Sequence, residues 1–77
     1  MKQISLDDLA RDYDIDVNNL REELRRRGLS SDDVNIYALN YVPMRLQHIF
    51  FELNKLDLIV IEARIIESKL LLICAKI

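Results

Sequence analysis

The sequence predicts one small, mainly α-helical domain that ends in a β-hairpin. In the segment 43–59, apolar residues recur at the 3, 4, 7 and 10 spacings of a helix with one buried stripe. The periodicity stops after Leu56-Asp57, and the β-branched run Ile59-Val60-Ile61 begins at once. We therefore expect a helix, a corner and a strand there, in a fold of four helices followed by a two-stranded hairpin. The stripe comprises Leu46, Ile49, Phe50, Leu53 and Leu56.

Length and composition narrow the possible functions. The 77 residues suffice for one domain, 1–77, with a small core. The apolar fraction is 51%, slightly above the usual ~45–50%, so we expect self-association. The net charge of −2 counts mildly against a stand-alone nucleic-acid binder, which is usually basic. The single cysteine, Cys74, lies in an apolar run and is interpreted as a buried hydrophobe.

Neither end of the chain predicts a membrane segment. The first residues, 1–5, do not lead into the apolar core of a signal peptide. The apolar run 58–77 is interrupted by charged residues, which excludes a transmembrane helix. We expect a cytoplasmic protein without a membrane partner.

Two helices are predicted before the only glycine, Gly28. Ser5 is a good N-cap for the first helix, with Asp8 completing a weak capping box. Asp16 is placed to cap a second helix, which ends at Gly28. The buried stripes of the two helices are Leu6, Leu9, Ala10 and Tyr13, then Val17, Leu20 and Leu24.

A third helix, the amphipathic helix and the hairpin complete the prediction. Ser30 or Ser31 is a candidate N-cap for the third helix, which must end by Val42 because Pro43 follows. The apolar residues of that helix would be Val34, Tyr37, Ala38 and Tyr41. The fourth helix begins near Pro43, where proline suits the first turn. The hairpin strands are Leu58–Ile66 and Leu70–Ile77, joined by a turn at Glu67-Ser68-Lys69.

An aspartate string raises the alternative of a calcium site. Five oxygen-bearing residues match positions 1, 3, 5, 7 and 12 of a calcium-binding loop, namely Asp12, Asp14, Asp16, Asn18 and Glu23. Position 6 of that loop requires glycine, and here it is the β-branched Val17. We therefore favour helix capping for these carboxylates and predict no metal or cofactor.

A first helix-turn-helix register covers the two N-terminal helices. Leu9-Ala10, Ile15-Asp16 and Leu20 resemble the helix-turn-helix pattern, with Asp14 where a turn glycine is usual. Aspartate is one of the commoner non-glycine residues at positive φ. The outward residues would be Asn18, Asn19, Glu22, Arg25 and Arg26, with Arg21 at the flank.

A second register, the stronger match of the two, resembles the winged helix-turn-helix family. The segment Ser31–Ile59 is similar to that family's second and third helices and the corner after them, with Asp57 replacing a glycine. The resemblance implies that Val17–Arg27 is the first helix, that the hairpin is the wing, and that the protein binds DNA. A shorter stretch, 33–43, also resembles the ComFB late-competence family.

The predicted function is that of a small DNA-binding transcriptional regulator acting as a homodimer. The homodimer is inferred from the hairpin, which is apolar on both faces. The candidate nucleic-acid residues are Arg21, Arg25, Arg26, Arg27 and Lys69 for phosphate contacts, and Arg45, Gln47 and His48 for reading base edges. The alternative is a protein-interaction module that does not bind DNA, with an interface formed by Met44, Phe51, Leu70 and Leu72. We predict no enzyme, since the chain offers no nucleophile–base pair.

Overall fold

The protein is an α+β domain with three α-helices and one four-stranded antiparallel sheet. The computed structural model describes residues 1–76. The sheet order is β1-β2-β4-β3. The elements are β1 Gln3–Ile4, α1 Leu6–Tyr13, α2 Val17–Arg26, β2 Val34–Asn40, α3 Leu46–Lys55, β3 Leu58–Ile66 and β4 Lys69–Lys76. The predicted fold of four helices with a two-stranded wing is therefore wrong, and the chain does not have the winged-helix architecture.

The error lies in the segment that was predicted as the third helix. It forms a single 3₁₀ turn, Ser31–Asp33, followed by β2. β2 lies between β1 and β4 and is covered on both faces. All four β2 residues from Ile36 to Leu39 are apolar, so the sequence of β2 lacks the alternation of polar and apolar residues that marks a half-exposed strand. The helical spacing of Val34, Tyr37 and Ala38 is a coincidence.

The sheet has a helix layer on each side. We call the side covered by α1 and α2 the helix-pair face and the side covered by α3 the α3 face. The core of the helix-pair face comprises Leu9, Leu20, Leu24, Val34, Ile36, Leu71 and Ile73. The core of the α3 face comprises Tyr37, Ile49, Leu53, Leu58, Leu70, Leu72 and Cys74. β4 supplies both cores and is buried from Leu70 to Ala75, which explains why the hairpin is apolar on both faces within one chain.

The local signals at the ends of elements are confirmed. The Ser5 hydroxyl accepts from the Asp8 amide at 3.0 Å, and the Asp8 carboxylate accepts from the Ser5 amide. Gly28 ends the α2 region at a φ of +78°. The hairpin strands are also confirmed over the described residues, although Ile77 lies outside them. Their two-residue turn, Glu67-Ser68, adopts positive φ at both positions without a glycine.

Candidate nucleic-acid interface

α1 and α2 are two consecutive helices separated by Asp14-Ile15-Asp16, at the positions that the first register predicts. α1 ends at Asp14, whose φ of +53° and ψ of +41° are left-handed, as a turn glycine's would be. Two residues later, the Asp16 carboxylate accepts from the amides of Asn18 and Asn19 at 3.0 and 3.2 Å. This cap fixes the start of α2 at Val17. The second register is not a helix-turn-helix, because its first member is strand β2.

The outward side of α2 carries polar and basic side chains. Leu20 and Leu24 point into the core and are 2% and 3% exposed. The outward side chains are Asn18, Asn19, Arg21, Arg25 and Arg26, with the half-exposed Glu22 among them. Arg25 donates from Nε to Glu22 at 3.1 Å, and this hydrogen bond lowers the pKa of the Glu22 carboxyl. The Arg25 side chain is still 74% exposed, and exposed ion pairs of this kind contribute little stability.

Two contacts hold the C-terminal half of α2 against β3. The Arg27 guanidinium donates from Nη1 to the Ile61 carbonyl at 3.2 Å. The Glu23 carboxylate lies 3.7 Å from Nη2 of Arg64. Together with the buried Leu20 and Leu24, these contacts place α2 so that its outward side faces away from the sheet. Arg27, which the sequence predicts to contact DNA phosphates, therefore also contacts the backbone of β3.

The candidate residues do not form one surface. Arg21, Arg25, Arg26 and Arg27 belong to α2 and its C-cap, on the helix-pair face of the sheet. Arg45, Gln47 and His48 lie at α3, on the opposite face. Lys69 lies at the start of β4, where Nζ donates to the Asn40 side chain at 2.6 Å. It lines a shallow depression beside the α1–α2 turn with Asp12, Tyr13, Asp14, Ile66 and Glu67.

The candidate protein-interface residues also divide into two groups. Met44 and Phe51 are 94% and 58% exposed on the outer side of the α3 region. Lys55 Nζ lies 4.8 Å from the Phe51 ring centroid, at cation–π distance. Leu70 and Leu72 are 4% and 0% exposed and belong to the core, so they are not available to a partner in the folded chain.

Several exposed apolar residues were not among the sequence candidates. Phe50 and Leu56 were assigned to the buried stripe of α3, yet they are 47% and 48% exposed. In β3, Ile59 and Ile65 are 50% and 56% exposed. No signal in a single sequence distinguishes these isoleucines from their buried neighbours, because the distinction depends on β3 being the edge of the sheet.

Of the aspartate string, the Asp16 carboxylate caps a helix in this structure, and Asp12 pairs with Arg11. Asp16 is the N-cap of α2, and Val17 begins that helix instead of making the turn that a calcium loop requires. Among residues 1–76, no three His, Cys, Asp or Glu side chains are grouped as a metal site would need. In the same residues, no helix is long and apolar enough to cross a bilayer.

The function has to be inferred from the residues of this chain and their arrangement. No protein-family model, curated protein or solved structure matches the sequence or its fold.

Proposed function

We propose that the protein binds double-stranded DNA through α2, the second helix of the α1–α2 helix-turn-helix, and acts as a transcriptional regulator. The observation that carries the proposal is the turn itself. Asp14 adopts the left-handed conformation and Asp16 caps α2, and this order of a helix, a short turn and a capped second helix supports a helix-turn-helix unit. The outward side of α2 is then free to enter a major groove.

The side chains of α2 suit the two parts of such an interface. In helix-turn-helix proteins, the N-terminal residues of the recognition helix contact base edges. Asn18 and Asn19 occupy that end and are exposed, and asparagine pairs with adenine through two hydrogen bonds. Arg25 and Arg26 lie one to two turns further along, 74% and 70% exposed, where phosphates flank a groove.

The local charge of α2 favours DNA although the chain as a whole is acidic. The segment 17–27 contains four arginines and two glutamates, which gives +2. The remainder of the chain is therefore −4, since the total is −2. A chain with so small a basic patch is expected to bind non-specific duplex at the weak end of the usual range, Kd about 10⁻⁴ M at physiological salt.

The test removes arginines from α2 and from the opposite face. We expect R25A/R26A to weaken binding of a mixed duplex at low salt. It should also reduce the slope of log K against log salt by about two, one for each phosphate contact. The control is R45A/Q47A, which removes one arginine from the α3 face and should leave the affinity and the salt dependence unchanged. Fluorescence anisotropy with a labelled duplex measures them.

Three results would contradict the proposal. The first is no binding by the natural chain at low salt. The second is loss of binding in R45A/Q47A with R25A/R26A unaffected, which would assign DNA to α3. The third is equal loss in both variants, which would indicate a diffuse charge effect.

The outer side of α3 supports a second candidate function, a protein-interaction module that does not bind DNA. Met44 is almost fully exposed and Phe51 is 58% exposed on a regular element. Large apolar side chains exposed on one side of an element can mark a protein interface. This function would use the face of the sheet that the DNA proposal leaves free.

Phe51→Ser tests the second candidate function. We expect this variant to lose a partner protein in a pull-down while its far-UV circular dichroism stays unchanged, because Phe51 is not part of the core. Gln47→Ser, also exposed on α3, is the control and should retain the partner. Retention of the partner by Phe51→Ser would exclude this surface.

A further inference from the structure

β3 leaves one edge of the sheet open. It is nine residues long and pairs only with β4, so its other side has no neighbouring strand in residues 1–76. The unpaired N–H and C=O groups of such a strand are a template for pairing with another chain. Edge strands are commonly protected by lysine, proline or a bulge. β3 contains neither lysine nor proline, and its bulge lies between Val60 and Glu62, before the stretch that remains open.

One position on this edge already has a hydrogen-bond partner, and the stretch after it exposes two apolar side chains. The register of β3 against β4 shifts between Val60 and Glu62, and the Ile61 carbonyl accepts a hydrogen bond from the Arg27 guanidinium. The free stretch therefore begins at Glu62. Along it, Ala63 and Ile65 pair with Leu72 and Leu70 of β4, which places them on the α3 face. Both side chains are exposed there.

We propose that β3 pairs antiparallel with β3 of a second copy of this chain, with Ala63 of one copy directly opposite Ala63 of the other and a two-fold axis midway between them. Directly opposed residues in an antiparallel pair lie on the same face of the sheet, so the residue at the axis must face its own copy. Placing Glu62 or Arg64 opposite its own copy would bring like charges together, which is destabilising. With Ala63 at the axis, Glu62 of each copy lies opposite Arg64 of the other.

The charged side chains of β3 are placed to form ion pairs between the two copies. Glu62 accepts from Nε of Arg64 at 2.9 Å within one chain, on the helix-pair face. Their side chains are only 27% and 37% exposed, so much of their hydration is already lost before pairing. The second copy adds an opposite charge to each, while Ala63 of both copies becomes buried on the α3 face. Ile65 lies beyond this ladder, because the residue opposite it would be Ile61, whose carbonyl already accepts from Arg27. The short ladder predicts a weak, concentration-dependent dimer at the low end of interface sizes.

Engineered cysteines test the register. With Cys74 changed to alanine, Ala63→Cys should form a disulfide-linked dimer under mild oxidation. Residues 63 of the two copies are directly opposed in this register, with Cβ atoms about 4.5–5.5 Å apart, close enough for small movements to permit a disulfide. Ile59→Cys is the control: residue 59 is also exposed, but in this register it lies roughly 25 Å from its counterpart, at 3.3 Å a residue. Equal cross-linking of both cysteines, or none at residue 63, would overturn the register.

Sedimentation analysis tests the dimer itself and does not depend on DNA binding. The natural chain should shift from monomer to dimer as its concentration rises. Ala63→Lys should remain a monomer at every concentration, because it places two lysines directly opposite each other at the centre of the new interface. Met44→Lys adds a lysine elsewhere on the α3 side and should dimerise normally. A monomeric natural chain, a dimer that Ala63→Lys leaves intact, or a dimer that Met44→Lys abolishes as well would overturn the proposal.

Discussion

Leu72→Ala is expected to lower the free energy of unfolding by about 3 to 5 kcal/mol. Leu72 is 0% exposed and lies on β4 between β2 and β3, in the core of the α3 face. Neighbouring strands on both sides limit how far the structure can relax into the cavity. A domain of this length has a total stability of roughly 4–11 kcal/mol, so the variant is expected to lose much of it. Urea unfolding followed by circular dichroism measures the change.

Leu56→Ala is the matched control for this prediction. Leu56 undergoes the same chemical change, but it is 48% exposed at the end of α3. We expect a cost of less than about 1 kcal/mol there. Leu71→Ala, on the helix-pair face of the same strand, should cost about as much as Leu72→Ala, because β4 serves both cores. A smaller effect at Leu72 than at Leu56 would mean that the hairpin is not the centre of the fold.

The parts of the fold that the sequence predicts are those that local chemistry decides. Ser5 and Asp16 start helices because their oxygens accept from backbone amides, and both caps are present. The β3–β4 hairpin follows from the β-branched residues and from the end of the helical period at Asp57. These signals act within a few residues, so a single sequence contains them in full.

The parts that it does not predict depend on contacts between distant segments. β2 is a strand because β1 and β4 pair with its two edges, at separations of 29 to 41 residues in sequence. Its apolar residues satisfy a helical spacing equally well, and propensity alone does not choose between the two. Because β2 pairs with β4, β4 becomes a central strand and β3 the edge strand of a four-stranded sheet, and the hairpin is not a separate two-stranded wing.

The candidate site shows the same division. The outward side of α2 follows from its period and its cap, and Asn18, Asn19, Arg25 and Arg26 are exposed as predicted. The sequence offers no means of seeing that α3 lies on the other side of the sheet. Arg45 and Gln47 therefore belong to a surface separate from α2, and one duplex is not expected to contact both sets without bending around the domain.

Stability at alkaline pH is expected to depend on Cys74. Burial raises the pKa of its thiol from 9.0 to about 11, because the thiolate would lose its hydration in the core. Between these values the unfolded chain releases the thiol proton and the folded chain retains it. The free energy of unfolding therefore falls as pH rises through this window, by about 2 to 3 kcal/mol for this group alone. Below about pH 8 the thiol contributes no pH dependence.

Cys74→Ala isolates this contribution from tyrosines and lysines that titrate in the same range. The variant is expected to be less stable than the natural chain at neutral pH, because it leaves a small cavity beside Leu72 and Tyr37 in the core of the α3 face. Its deficit should shrink steadily as the pH approaches 11, since only the natural chain loses stability through the thiol. Urea unfolding of both proteins at matched pH values gives the difference. A deficit that stays constant across the window would show that the folded thiol titrates like an unfolded one and that Cys74 reaches solvent.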